Sequence, residues 1–203
     1  MKRVAMVIVL FLLAISSGTV QDGAAVEETA AEQLDVSVDT VVDEAGPASP
    51  LERLDWMVGE WIDQAEDSTI TTTCSWTKNR KFLKRSFNVK IDNEVTLEGT
   101  QFVGWDPIET QIRSWTFDSE GGFGEGRWIQ DGKRWLVKAS FVLADGARAS
   151  SLNVYTYVDA DTIRWQSTNR EIAGELQPNI PEVTVVRQNE QTVSRKSEKE
   201  ESQ

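Results

Sequence analysis

From Gly59 onward the chain repeats one pattern, a short run of alternating apolar and polar side chains closed by a turn signal. In residues 82–91 the phase Leu83, Arg85, Phe87, Val89 and Ile91 is apolar except for its arginine, and Lys84, Ser86, Asn88 and Lys90 take the other face. Val95, Leu97, Gly99, Gln101, Val103 and Trp105 share the next phase, and Arg113, Trp115 and Phe117 fall together after it. Trp135, Val137, Ala139, Phe141 and Leu143 alternate again, as do Ile163 and Trp165. A period of two is the mark of a strand with one covered face. Between the runs stand Asn79-Arg80-Lys81, Asp92-Asn93, Asp106-Pro107, Gly121-Gly122, Asp131-Gly132, Asp145-Gly146 and Asp159-Ala160-Asp161. Asp-Gly pairs are strong hairpin signals, and proline cannot donate to a ladder. The pattern predicts an all-β domain of about ten antiparallel strands in up-and-down order, the last at residues 183–187 after a loop over 173–181. Such strands cannot stay flat with their apolar faces bare, and closing the sheet into a barrel removes both edges. An immunoglobulin-like sandwich needs longer crossover loops than these turns provide.

The strands are introduced by Leu51, Leu54, Met57 and Val58, a helical spacing that lays one short turn over something apolar. Gly59 then lets the backbone swing into the first strand, and Trp61 is large enough to plug one end of a barrel. Residues 1–18 have a different character: Lys2 and Arg3, the apolar run 4–15, then Ser16, Ser17 and Gly18. That is the three-part pattern of a signal peptide, with an apolar run too short for a bilayer span of about 20 residues. An exported protein, periplasmic or extracellular, with no stable membrane anchor after cleavage is the expectation. Residues 19–50 are rich in Asp and Glu from Asp22 to Glu44 and hold no Lys or Arg, the composition of a disordered acidic spacer. Residues 188–203 form a polar, charged tail, which leaves 51–187 as the barrel domain.

Charge and chemistry narrow the function. A net charge of −12 and the lack of a basic cluster outside 78–85 argue against nucleic acid as a partner. Cys74 is the only cysteine, so no disulfide forms within the chain, and it reads as a small buried side chain. Histidine is absent, which removes the usual zinc ligands and the Ser-His and Cys-His nucleophiles. No metal or cofactor is expected.

The glycine and tryptophan at Gly59 and Trp61, two positions apart and preceded by a helical turn, resemble the opening signature of the lipocalin-like (calycin) barrels. The resemblance implies that an arginine of the last strand packs across the tryptophan, and Arg187 stands where that arginine would be. Gly104-Trp105-Asp106-Pro107 and residues 112–122 are also similar to an uncharacterised family of bacterial exported proteins. Its members often carry the barrel after a SnoaL-like domain. The likeness covers roughly residues 54–187, and the acidic spacer is too short to hold such a partner domain. Heme-binding barrels of the nitrobindin type ligate iron through histidine, so that function does not carry over.

Strand phase places Arg85, Gln101, Arg113, Ser167 and Asn169 on the face lining the barrel, beside Trp105, Trp115, Trp135 and Trp165. A guanidinium in an apolar interior needs acceptors. One reading is a cup in which Arg85, Gln101 and Arg113 hold the anionic head of a small amphipathic ligand against a tryptophan wall. Another is a packed scaffold whose arginines pair with Glu125, Asp118 or Asp106 and whose acidic spacer or outer face meets a protein partner. A third is carboxylate acid/base catalysis of the isomerase or hydrolase kind, by Asp106, Asp118 or Glu125. Trp56, Trp61 and Trp128 are read as core. Arg187 is read as structural, a cation on the Trp61 ring.

Overall fold

A computed structural model describes residues 49–188 except Glu66. The leader at 1–18 and nearly all of the spacer and tail lie outside the described residues. A 3-10 helix, Pro50–Met57, is capped by Ser49, whose hydroxyl accepts from the Leu51 N–H, and begins with proline where no N–H is needed. Eleven strands follow: β1 Gly59–Gln64, β2 Ser68–Trp76, β3 Phe82–Ile91, β4 Glu94–Asp106, β5 Gln111–Asp118, β6 Phe123–Asp131, β7 Arg134–Val142, β8 Arg148–Asp159, β9 Thr162–Ile172, β10 Glu175–Gln177 and β11 Ile180–Arg187.

Strands β1 to β9 pair antiparallel with their neighbours in sequence, with β9 and β11 adjacent and β11 returning to β1. The result is a closed ten-stranded barrel with one extra short strand. Asp92 and Asn93 both have positive φ, 51° and 66°, in the two-residue turn joining β3 to β4. That turn geometry matches the right-handed twist of the strands on either side. The stretch predicted as a loop, 173–181, instead contains β10 and the start of β11. Ala173 and Gly174 turn the chain at φ 52° and 85°, and Glu175–Gln177 pairs back on β9.

Side chains pointing inward sort into a packed end and a hollow end. The helix closes the packed end with Leu51, Leu54 and Met57, which bury against Cys74, Leu83, Val103, Ile112, Trp128, Trp135 and Val137. Leu51, Leu54, Leu83 and Val103 are completely buried there. A smaller cluster of Ile70, Val89 and Leu97, with Phe87 against it, fills part of the wall toward the other end. Between them the lumen is open.

Candidate functional site

The barrel encloses a cavity of about 240 Å³ bordered by Trp56 and Met57 of the helix and by inward residues of the strands. Its floor is made by one connected set of side chains. Arg85, inward on β3, donates from Nη1 to Gln101 Oε1 at 2.7 Å and to the Tyr155 hydroxyl at 3.4 Å. Gln101 Nε2 donates in turn to Thr116 Oγ1 at 3.0 Å and reaches Ser114 Oγ at 3.5 Å. Trp128 Nε1 donates to the same Ser114 oxygen at 3.0 Å. The Trp128 ring stacks on Tyr155 with centroids 5.6 Å apart, and the Arg85 guanidinium lies 5.5 Å from the Tyr155 centroid. The set fixes Arg85 in place from several sides.

None of those partners carries a negative charge. Arg85 has no carboxylate partner among the described residues. Burial works against its charge, and the neighbouring Tyr155 phenol and Cys74 thiol offset this and hold the guanidinium above its ordinary value. Burial also pushes the Cys74 thiol up to about 11, with Arg85 pulling the other way. Cys74 is 2% exposed and packs in the apolar cluster directly across from Arg85 in the register of β2 and β3.

The structure keeps only part of the expected lining. Arg85, Gln101, Trp165 and Ser167 border the cavity. Trp105 and Trp135 turn inward too, but into the packed end against the helix, away from the open space. Arg113 and Trp115 are on the outer face. The register pairs Ser114 with Val103 and Gly126 inside the barrel, and Arg113 with Gly104 and Arg127 outside. There Arg113 lies 5.6 Å over the Trp115 ring, bonds Asp106 Oδ2 at 3.0 Å and pairs with Glu125. The largest side chains of β5 suggest the opposite phase, whereas the residues facing the hollow are the small polar Ser114 and Thr116. Phe117 and Phe123 pair across the same outer face, each more than half exposed.

Asn169 is likewise displaced from the lumen. Its φ of 49° breaks the alternation of β9, its side chain is exposed, and Arg170 turns inward in its place. Arg170 is 6% exposed at the cavity rim and donates to the Pro178 carbonyl at 2.6 Å; burial lowers its pKa. Tyr155, Asn153, Ser151 and Thr116 also border the cavity and were missed from sequence. Tyr155 stands across from Trp135, and Asn153 across from Val137, so the apolar phase of β7 is the signal that places both inward.

Asp106, Asp118 and Glu125 are all engaged. Asp106 Oδ1 accepts from the Ile108 and Glu109 N–H groups, and Asp118 Oδ1 from those of Glu120 and Gly122. Asp63 differs. It borders the cavity from β1, makes no ion pair among the described residues, and burial holds its carboxyl above the ordinary range. No group of three His, Cys, Asp or Glu side chains clusters among the described residues in a way that could hold a metal ion.

Gly59 and Arg187 lock the packed end. Arg187 lies 4.2 Å from the Trp61 centroid and donates to the carbonyls of Val58, Trp56 and Ala160. Gly59 has φ 126°, and any Cβ there would fall on the Arg187 guanidinium. Trp61 Nε1 donates to the Met57 carbonyl at 2.9 Å, tying the helix to the first strand.

The closed antiparallel barrel, the helical turn and the arginine across the tryptophan fit a lipocalin-like fold. Comparison of the chain with models of known protein families finds no match, and a search among curated proteins finds no relative.

Proposed function

We propose that this chain is an exported binding module whose barrel takes a small amphipathic molecule, anionic end down, on Arg85. The observation that carries the reading is a guanidinium held at the floor of a cavity by neutral partners alone. A half-buried cation without a counter-charge among the described residues is costly, and an arriving carboxylate would supply both the charge and the missing acceptors. The walls support the rest: Trp61, Phe87 and Trp165 present apolar rings above the floor. A cavity of about 240 Å³ lies below the roughly 300–1,000 Å³ typical of drug-sized sites, which favours a compact guest. Export is supported by the leader-like residues 1–18. Kinship with the exported lipocalin-like family belongs to the same proposal, on Gly59, Trp61 and Arg187.

The test is tryptophan fluorescence of the full chain titrated with small carboxylates and with their uncharged amides. Carboxylates are expected to quench or shift the emission, the amides to bind far more weakly, and Arg85→Gln to lose the difference. Equal binding of acid and amide, or no response to either, overturns the reading.

Asp63 favours a second reading, acid/base catalysis in the same chamber. A carboxyl of raised pKa facing a cavity with no ion partner among the described residues is suited to proton transfer. Turnover of a bound ester or isomerisable carbonyl compound that Asp63→Asn abolishes without weakening binding would establish it; turnover that survives the substitution would refute it.

A further inference from the structure

The cavity has a second polar pole, on the wall facing Arg85. In the ring of strands β3 and β8 stand opposite each other, with β4, β5, β6 and β7 between them one way and β2, β1, β11 and β9 the other. On β8 and its neighbour β9, Ser151, Asn153 and Ser167 border the cavity together. Asn153 and Ser167 are cross-strand partners, and Asn153 Nδ2 donates to Ser151 Oγ at 3.2 Å. That leaves the Asn153 carbonyl oxygen without a donor among the described residues. Ser167 is 3% exposed, and its hydroxyl also has no partner among them. A donor and an acceptor left open in a largely apolar chamber are costly unless a guest or water meets them.

Spacing relates the two poles. Tyr155, whose hydroxyl meets Arg85, and Asn153 are successive inward residues of β8, so the second pole lies one inward step, about 7 Å, along the strand. Trp61, Phe87 and Trp165 flank the space. We infer that the guest is a single-ring aromatic carboxylate with a hydroxyl or amino group at the end opposite its carboxylate. The inference rests on the anion reading of Arg85 and adds the far end of the ligand. The carboxylate takes the Arg85 N–H groups that the floor leaves unused, and the ring sits among the aromatic walls. The far substituent donates to Asn153 Oδ1 and, when it is a hydroxyl, accepts from Ser167. A long-chain fatty acid offers nothing to that pole and exceeds the volume.

The experiment titrates the full chain with 4-hydroxybenzoate, benzoate and octanoate by calorimetry, then repeats it on Ser167→Ala, Asn153→Ala and Arg85→Gln. Circular dichroism checks that each variant is folded. 4-Hydroxybenzoate is expected to bind about ten-fold or more tighter than benzoate, the worth of one well-made hydrogen bond to a buried group. Ser167→Ala and Asn153→Ala should erase that preference, and Arg85→Gln should weaken both acids. Equal affinity of the two benzoates in the unaltered protein, or a preference that survives in both pole variants, means that the pole holds only water. That result overturns this inference and leaves the Arg85 reading standing. Indifference of all three acids to Arg85→Gln, or no binding by any, overturns the reading beneath it.

Discussion

Arg187 and Arg85 both lie over an aromatic ring inside the same barrel, and they differ in what answers their charge. Beside the helix Arg187 covers Trp61, with three backbone carbonyls as acceptors and Asp161 at 3.5 Å. At the hollow end Arg85 covers Tyr155 with one amide oxygen and one phenol oxygen. The first cation is completed by the chain that carries it. The second is positioned by its chain and left without a counter-charge among the described residues, which is how a site for an outside anion differs from a structural clamp.

The largest effect expected from breaking this contrast is at the clamp. Gly59→Ala combines a φ of 126° with a Cβ that lands on the Arg187 guanidinium. Strain and overpacking together should cost on the order of 3 kcal/mol, a fall of roughly 10 °C in melting temperature. Thermal unfolding followed by circular dichroism measures it. A variant that melts like the parent would mean that the packed end yields easily, and that the contrast between the ends is overstated.

Arg85→Met should do the reverse. Affinity for a small aromatic carboxylate should drop by about a hundred-fold, roughly 3 kcal/mol, while the melting temperature holds or rises, because an uncompensated cation leaves the interior. A marked loss of stability would show that the Arg85–Gln101–Tyr155 set is a structural network and no binding floor.

Arg113 sharpens the comparison from the outside. Its replacement by Met should lower the melting temperature modestly and leave carboxylate binding unchanged, since its partners Asp106 and Glu125 lie on the outer face. The Asp106 carboxyl is held below its ordinary value, first by the Glu109 N–H and then by Arg113. A depressed folded value means that this stability is present above the unfolded value of 3.8 and is lost as pH falls through the folded one. In Arg113→Met that acid-side loss should shrink. A change in ligand affinity would contradict the outward placement.

The two arginines also show what could be read from the chain alone. The barrel was legible because turn signals such as Asp92-Asn93 and Asp131-Gly132 set the hairpins, and because alternation in β3 is carried by large inward residues, Leu83, Phe87 and Val89. In β5 the same rule points the wrong way. A strand that lines a hollow needs small polar side chains inside, and Ser114 and Thr116 supply them while Trp115 and Phe117 go outward. Arg170 was hidden for another reason. The break at Asn169 shifts the phase of β9 by one residue, and the backbone conformation behind it leaves no mark in the pattern of apolar and polar positions. Size patterns reveal a filled interior well and an empty one badly.

Asp63 offers the finest test of how closed the hollow end is, because its pH dependence has the opposite sign to that of Asp106. Burial raises its folded value above the unfolded value of 3.8, so the folded protein holds the proton longer than the unfolded chain does. Between those two values stability must fall as pH rises, since ionising Asp63 puts a charge into the chamber. Asp63→Asn should therefore match the parent near pH 3 and melt slightly higher at neutral pH, with the gap opening across that interval. The same charge faces any carboxylate seated on Arg85. Affinity for benzoate in the parent, measured at fixed ionic strength, should weaken over the same pH interval once the ligand itself is fully ionised, and the step should vanish in Asp63→Asn. Parallel melting curves and parallel affinities would place the Asp63 carboxylate in bulk water at the mouth, with the chamber open down to that level.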